Sequence, residues 1–584
     1  MDVPASTPRL AALLLLAASV PLLAQQFFPL RDVHPGLHGV GRTVFQGNRV
    51  EEFQVEILGV LENLTPKQTI ILAKLSGGPL AETGVMQGMS GSPVYIDGKL
   101  LGAVALGFPF SKEPIAGIQP IEQMIADATL TPPPVIRIPA PHEKTSSPLG
   151  GLTEISTPLA LSGFTPRTLQ AFGAQFRQLG FEPQQGVSAG APPSQQYTGT
   201  VVPGSMISVE LLTGDMVMSA DGTVTYVDGK RVYAFGHRFL DGGTTELPFA
   251  RADVIALLPT LNTSFKLSAA REWVGTMLSD RSTAIAGEIG RPAHLIPITI
   301  AIHSAEAGAH DYHFQVVNDR LLTPFLTQTA LFSTIDRTER TLGTGTIRLH
   351  GRIEWQGHVP PLDLHDIFIS DSGLAQQVSN DAVVPLGFIL GAGFTSLQMK
   401  SMSFDLEPVE KKRQLHIAQV WASAHDVHPG DSLQVTTLLE GENGFELTRT
   451  ATYRIPTGAP LGGLNLTVSD AATLNGADFA GLSQSQAHSP EQLIGMINSF
   501  RGSQAAYLRV WRQEPAFTIA GPLPGGDLTD PPPSVMLVLA DPSSSANSNA
   551  ALALTRGSSV AEIELPVAGY AVLGARTIQV EVKE

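Results

Sequence analysis

Short runs of alternating apolar and polar residues fill most of the chain. The run at 50–58 reads Val-Glu-Glu-Phe-Gln-Val-Glu-Ile-Leu, and the run at 70–75 reads Ile-Ile-Leu-Ala-Lys-Leu. Alternation with a period of two, ended by Gly, Asp, Asn or Pro, is typical of strands that are buried on one face. The pattern predicts a mainly β chain. Helical or mixed structure is expected near 155–182, and one helix is expected at 490–500.

Two hairpins are marked by turn residues between strand-like runs. In the first, residues 94–96 lead through Asp97-Gly98 to residues 100–105, and in the second, residues 224–227 lead through Asp228-Gly229 to residues 232–235. Asp-Gly accepts the positive φ angles of a two-residue hairpin turn. We therefore expect each Asp-Gly pair to occupy the turn itself.

The composition narrows the range of partners and chemistries. The net charge of −16 leaves no basic surplus to neutralise phosphates, so no nucleic-acid partner is expected. The absence of Cys excludes disulfides, thiol catalysis and thiolate metal sites. His303, His310 and His313 lack the spacing of a metal-binding motif, and Gly343-Thr344-Gly345 lacks the third glycine of a dinucleotide site, so no metal or cofactor is expected.

The first 24 residues have the pattern of a signal peptide. Arg9 precedes an apolar stretch that ends at Ala24, before Gln25-Gln26. A membrane anchor is the alternative, although the apolar stretch is short for a bilayer span. The pattern predicts export to the periplasm, to the cell envelope or to the medium, with no membrane span after the leader is removed.

The segment Gly88-Met89-Ser90-Gly91-Ser92-Pro93 has the residue types that an activated serine needs. Glycines on both sides let the backbone bend sharply and present N–H groups to an oxyanion, and Pro93 then begins a strand. The segment predicts Ser90 as a nucleophile, with the N–H groups of Gly88 and Ser90 as oxyanion donors. A plain Gly/Ser turn is the alternative, and Ser92 is a weaker candidate nucleophile.

This segment lies in a longer block that resembles a known peptidase family. Residues 84–104, together with 50–57 upstream and 116–122 downstream, are similar to the SpoIVB peptidase family. The resemblance covers about residues 30–130. It implies a trypsin-like double β-barrel and a serine nucleophile at Ser90.

A general base is expected at His237. Residues 222–226 and 232–237, which end in Phe235-Gly236-His237, resemble the histidine block of the same family. In that family the histidine block precedes the serine block, whereas here it follows Ser90. Chain order does not prevent a working site, because catalytic triads occur in several orders. A structural histidine in a relic barrel is the alternative.

The third member of a triad is open. The position that the resemblance assigns to the acid holds Ser76 in this chain. Glu82 and Asp241 are both weak candidates to orient the imidazole, because either is close in sequence to one of the other two residues. A Ser-His dyad is the remaining option.

These observations predict a trypsin-like double β-barrel core followed by a β-sandwich-like C-terminal region. The function predicted is an exported serine endopeptidase that acts on protein or peptide substrates. The alternative is a catalytically silent, secreted β-domain protein that uses a peptidase-like barrel for protein or cell-surface binding. The predicted segments are a signal peptide at 1–24, a Ser-containing barrel at 30–140, a linker with a mixed or helical segment at 141–196, a His-containing barrel at 197–305, a β-rich extension at 306–410, a β-sandwich-like domain at 411–470 and a mixed C-terminal region with flexible loops at 471–584.

Overall fold

The structure is a computed structural model of the chain. It describes residues 27–65, 68–129, 151–186, 196–304, 308–338, 342–409, 411–484, 487–519, 528–529, 532–540 and 551–584. The predicted signal peptide and the proline clusters near 131–141 and 192–193 lie outside these residues. Two compact units are present, one formed by the residues up to 296 with 314–330, and the other by 297–313 with 331–584.

The first unit begins with a closed antiparallel barrel. Its strands pair in the order β1-β2-β3-β6-β5-β4, and β4 pairs again with β1. Apolar side chains on alternate positions fill the interior, including Phe53, Val55, Ile57, Val94 and Val104. The elements are β1 (His38–Gln46), β2 (Arg49–Thr65), β3 (Gln68–Ser76), α1 (Leu80–Thr83), β4 (Pro93–Ile96), β5 (Lys99–Gly107), β6 (Ile115–Pro120) and α2 (Ile121–Thr129), after a 3₁₀ helix at Leu30–Asp32.

A second barrel of six antiparallel strands follows in the same unit. Its order is β10-β13-β14-β15-β12-β11, and β11 pairs again with β10. At its margins β8 pairs with β11, β9 pairs parallel with β8, and residues 314–316 pair with β10. The elements are β7 (Thr153–Glu154), β8 (Thr157–Ser162), α3 (Pro166–Gln178), β9 (Phe181–Gln185), β10 (Met206–Gly214), β11 (Val217–Asp228), β12 (Arg231–Ala234), β13 (Gly243–Leu258), β14 (Phe265–Arg281) and β15 (Ala284–Ile289).

The second unit contains a sheet with helices and a two-sheet sandwich. In the first part β19, β18, β20 and β16 are neighbours in that order, and β16 runs parallel to β20. The elements of this part are β16 (Leu295–Ser304), β17 (Gly308–Val317), α4 (Leu322–Thr338), β18 (Leu342–Trp355), β19 (Leu362–Ser372), α5 (Leu374–Gly391) and β20 (Met399–Val409). β17 and α4 each have residues in both units.

The sandwich packs a four-stranded sheet on a six-stranded one. Strands β24-β23-β21-β29 form the first sheet and β22-β30-β25-β26-β27, with β28 beside β26, form the second. Both sheets contribute to one apolar core that extends from Leu415 to Val582. The elements are β21 (Gln414–Ala422), β22 (Asp426–Val427), β23 (Ser432–Gly441), a 3₁₀ helix (Glu442–Gly444), β24 (Glu446–Arg454), β25 (Gly462–Ser469), α6 (Ala471–Gln484), α7 (Pro490–Asn498), β26 (Ala505–Ile519), β27 (Leu528–Thr529), α8 (Pro533–Ala540), β28 (Ala551–Pro566), β29 (Ala571–Leu573) and β30 (Ala575–Val582).

The predicted fold class, a mainly β chain with a double-barrel core and a sandwich-like C-terminal region, is confirmed. The first Asp-Gly pair occupies its turn, since Ile96 pairs with Lys99 and both Asp97 and Gly98 have positive φ. In the second hairpin Asp228 pairs with Arg231, so the turn is Gly229-Lys230 and lies one residue later than expected. Gly229, with a φ of +59°, supplies the left-handed conformation at the first turn position.

The two barrels of the first unit meet at Gly91. A Cβ at this position would lie 1.9 Å from the Thr223 carbonyl oxygen and 2.6 Å from the Phe235 nitrogen, both in the second barrel. The φ of Gly91 is +92°, which also disfavours any side chain. The segment that carries Ser90 therefore contacts β11 and β12 backbone to backbone.

We expect Gly91→Ala to be much more destabilising than Gly98→Ala. Both glycines have positive φ, but a Cβ at Gly98 would meet nothing within 4 Å. The control should cost about 1–2 kcal/mol for the left-handed conformation alone, and Gly91→Ala about 4 kcal/mol or more because backbone atoms must move apart. Urea unfolding of the two full-length variants measures the difference. Equal losses would contradict the backbone contact between the barrels.

Candidate active site

The loop between α1 and β4 holds Ser90 through backbone hydrogen bonds. The N–H groups of Met89, Gly91 and Ser92 donate to the carbonyls of Met86 (3.1 Å), Val104 (2.8 Å) and Met89 (2.9 Å) respectively. The N–H groups of Gly88 and Ser90 donate to no acceptor among the described residues. The loop thus leaves unpaired the two N–H groups that the sequence predicts as oxyanion donors.

Strand β11 fixes the loop from the other side. Thr223 N–H donates to the Ser90 carbonyl at 2.9 Å, and the Thr223 hydroxyl donates to the Gly88 carbonyl at 2.8 Å. The Thr225 hydroxyl donates to the Gly91 carbonyl, also at 2.8 Å. Three hydrogen bonds from one strand therefore bind three carbonyls of the loop, and the position of Ser90 depends on the second barrel.

His237 lies three residues after the end of β12 and is 4 % exposed. Its Nδ1 lies 2.7 Å from the carbonyl oxygen of Arg238. A carbonyl can only accept, so Nδ1 carries the proton and Nε2 of the neutral ring is an acceptor. Burial lowers the pKa of His237 below 6.5, against the opposing charge of Glu154. The neutral ring with a free lone pair on Nε2 is the form that a general base requires.

Ser90 and His237 lie on segments that touch. The Val104 carbonyl that accepts the Gly91 N–H also lies 3.3 Å from where a Cβ of Gly236 would be. The side chain of Ser90 is completely buried, and neither its Oγ nor the Nε2 of His237 has a hydrogen-bond partner among the described residues. The two atoms therefore make no hydrogen bond with each other in this structure.

Neither carboxylate proposed from the sequence binds the imidazole through Nδ1, because that atom donates to Arg238. Glu82 is exposed in the four-residue helix α1. Asp241 is exposed and has a φ of +57°, in the loop that follows His237. The hydrogen bond that a triad acid would accept goes instead to a backbone carbonyl.

Asp280 is a site residue that the sequence did not reveal. Its carboxylate accepts the N–H groups of Phe239 at 2.8 Å, Leu240 at 2.6 Å and Gly242 at 3.1 Å, so it holds the loop after His237. Burial raises its pKa to about 6, partly opposed by these hydrogen bonds. The only signal in the sequence was a carboxylate at the end of a long strand, where the pattern calls for an apolar residue.

A second buried polar group lies behind the Ser90 loop and was also missed. Lys266 donates from Nζ to the Thr43 hydroxyl at 2.7 Å. Asp221 accepts hydrogen bonds from Ser208 and Ser268, and burial raises its pKa to about 6. Burial lowers the pKa of Lys266 to about 7, partly opposed by Asp221.

The Ser-containing part of the first unit resembles a known peptidase family. Residues 30–125 match the family model described as SpoIVB peptidase S55. This part of the chain is similar to SpoIVB-type serine peptidase domains. The match includes the Ser90 loop and the strands of the first barrel, and His237 lies outside it. No curated protein and no solved structure matches the chain.

Within the residues that the structure describes, no helix is long and apolar enough to cross a bilayer. The same residues contain no group of three or more His, Asp or Glu side chains arranged to hold a metal ion.

We expect Asp280→Asn to remove part of the pH dependence of stability. The pKa of Asp280 is about 6 in the folded chain, whereas the ordinary pKa of an aspartate is 3.8, so the folded state binds the extra proton between these pH values. This group therefore stabilises the fold fully below pH 4 and loses that contribution as the pH rises through 6. The loss amounts to at most about 3 kcal/mol.

The measurement is urea unfolding of the full chain at pH 4 to 7, followed at Trp273, the tryptophan of the first unit. The free energy of unfolding of the variant is subtracted from that of the parent protein at each pH. The contributions of the other buried groups cancel, because those groups titrate in both proteins. The difference in the free energy of unfolding should fall from pH 4 to pH 6 and then level off. A difference that is independent of pH would show that Asp280 ionises normally.

Proposed function

We propose that the protein is an exported serine endopeptidase of the SpoIVB type, with Ser90 as nucleophile and His237 as general base. The observation that carries the proposal is the contact of the Ser90 loop with Phe235, two residues before His237. A serine without a base nearby is a poor nucleophile. The fold brings the serine loop of one barrel against the histidine segment of the other.

The chemistry assigned to these residues follows the acyl-enzyme route. Ser90 Oγ attacks the carbonyl carbon of the scissile bond while Nε2 of His237 takes the hydroxyl proton. The negative charge on the carbonyl oxygen is stabilised by the N–H groups of Gly88 and Ser90. The imidazolium then gives the proton to the leaving amine, and water hydrolyses the ester on Ser90 by the same steps.

The Arg238 carbonyl replaces the acid of a triad in one of its two roles. It holds the Nδ1 proton and thereby fixes the tautomer, which is the role whose loss is most damaging in triad enzymes. It bears no full negative charge and stabilises the imidazolium less than a carboxylate does. With such a dyad we expect an enzyme that is slower than one with a complete triad, although His237 keeps the correct tautomer.

Access to the site requires movement. Ser90 is completely buried and His237 nearly so, and a peptide cannot reach either atom in this arrangement. Catalytic hydrogen bonds are often unformed without substrate. An opening step therefore precedes acylation, and we expect this step to limit the rate.

Ser90→Ala should abolish covalent labelling by a fluorophosphonate at neutral pH. Ser90 Oγ forms a bond to the phosphorus of the probe, the P–F bond breaks and fluoride leaves, while Nε2 of His237 takes the hydroxyl proton, so both residues are needed. His237→Ala should slow labelling by roughly a thousandfold or more. Mass spectrometry of the full-length protein measures the adduct and its rate.

Ser279→Ala is the matched control, because the Ser279 hydroxyl is also buried without a hydrogen-bond partner. It should label at the parent rate. Labelling of the parent should weaken in acid with a midpoint below pH 6.5, since burial lowers the pKa of His237. A folded parent protein that never reacts would contradict the enzyme and favour the secreted binding protein.

Export is tested independently of catalysis. The apolar stretch ends at Ala24, so cleavage is expected directly after that residue. N-terminal sequencing of the protein recovered outside the cytoplasm should begin at Gln25 or within a few residues of it. Recovery there of protein that still begins at Met1 would contradict a cleaved leader.

A further inference from the structure

A chain of three buried polar side chains crosses from the second barrel to the Ser90 loop. Lys266 of β14 is 1 % exposed and donates from Nζ to Thr43 Oγ1 of β1 at 2.7 Å. Ser92 Oγ donates to the same Thr43 oxygen at 3.0 Å. One hydroxyl of the first barrel therefore accepts both from the ammonium of the second barrel and from the loop.

Lys266 also supports the other end of the loop. Its backbone N–H donates to the Gln87 carbonyl at 3.2 Å. A Cβ at Gly88 would lie 3.3 Å from Lys266 Cδ and 3.4 Å from Lys266 Cβ, so the lysine stem packs against that glycine. The side chain thus contacts the loop directly at Gly88, before Ser90, and is linked through Thr43 to Ser92, after Ser90.

The placement of this lysine is costly. A buried ammonium loses its hydration, and an apolar side chain of similar length would satisfy the same volume more cheaply. The charged group that faces it is Asp221 on β11, which interacts in turn with Glu210 on β10. Asp221 offsets only part of the cost of burying the ammonium, whereas the contacts of Lys266 with the Ser90 loop give a further reason for a lysine at this position.

We propose that Lys266 is a positioning residue for the nucleophile loop. Lys266 fixes Ser92 through Thr43, and the aliphatic part of its side chain fixes Gly88. The N–H groups of Gly88 and Ser90 are thereby held pointing toward the expected position of the oxyanion. This inference rests on the proposed function, because the direction of those groups matters for an oxyanion. An oxyanion site tolerates errors of about 0.5 Å.

The test compares Thr43→Val with Thr43→Ser in the full-length protein. Valine keeps the shape but removes the oxygen that accepts both hydrogen bonds, whereas serine keeps that oxygen. The limiting rate of fluorophosphonate labelling should fall roughly tenfold to hundredfold in Thr43→Val and stay near the parent rate in Thr43→Ser. The probe concentration at half saturation should change little in either variant.

Thr43→Val leaves an ammonium without its partner, and the variant could fail to fold. The double variant Thr43→Val with Lys266→Met removes both groups and refills the space with apolar atoms. It should unfold at or above the temperature of the single variant yet label as slowly. Stability that returns together with the labelling rate would overturn the inference, because the role would then be structural alone.

Amide hydrogen exchange of residues 86–92 gives a readout that does not need catalysis. The double variant should exchange faster than the parent across this segment, and Thr43→Ser should not. Unchanged exchange would overturn the inference even if Ser90 reacts normally. A parent protein that does not label would contradict the proposed function, and the exchange data would still decide the role of Lys266.

Discussion

The close approach of Gly91 to β11 and β12 is the contact on which the site depends. At this point two barrels touch through backbone atoms alone, with the Thr223 oxygen and the Phe235 nitrogen inside the volume of any Cβ. Side chains can adjust to a change of distance, but two backbones cannot. The shape of the barrels therefore fixes the separation of the serine loop and the histidine segment. The hydrogen bonds from Thr223 and Thr225 then set the orientation of the serine loop.

Closure of each sheet on itself explains why the order of the two blocks along the chain matters little. Each six-stranded barrel satisfies its own edges and forms its own core, so neither needs strands from the other. What must be preserved is the face through which they pack. In this chain the connection between the two barrels runs through residues 130–196.

Local features of this chain were predictable, and non-local ones were not. The strand alternation, the Asp97-Gly98 turn and the glycines around Ser90 are written in neighbouring residues, and the structure has all three. The carboxylate of Asp280 depends on how the loop after His237 folds back on a strand some 40 residues later. The carbonyl that holds His237 belongs to the next residue, Arg238, but it reaches Nδ1 only through the conformation of that loop. No sequence pattern predicts such a contact. Glu82 and Asp241 were therefore chosen as candidates only because they are close in sequence to Ser90 or His237.

Buried charge is distributed unevenly between the two barrels. Among the described residues, five acidic, basic or histidine side chains of the second barrel and its loops are buried, namely Glu210, Asp221, His237, Lys266 and Asp280, whereas the buried polar residues of the first barrel are uncharged. Each such group lowers stability relative to an apolar replacement unless its partners compensate. Sequences depart from an apolar core mainly where function requires it. The first barrel thus carries Ser90 on an apolar scaffold, and the second barrel uses Lys266 to support the Ser90 loop and Asp280 to hold the loop after His237.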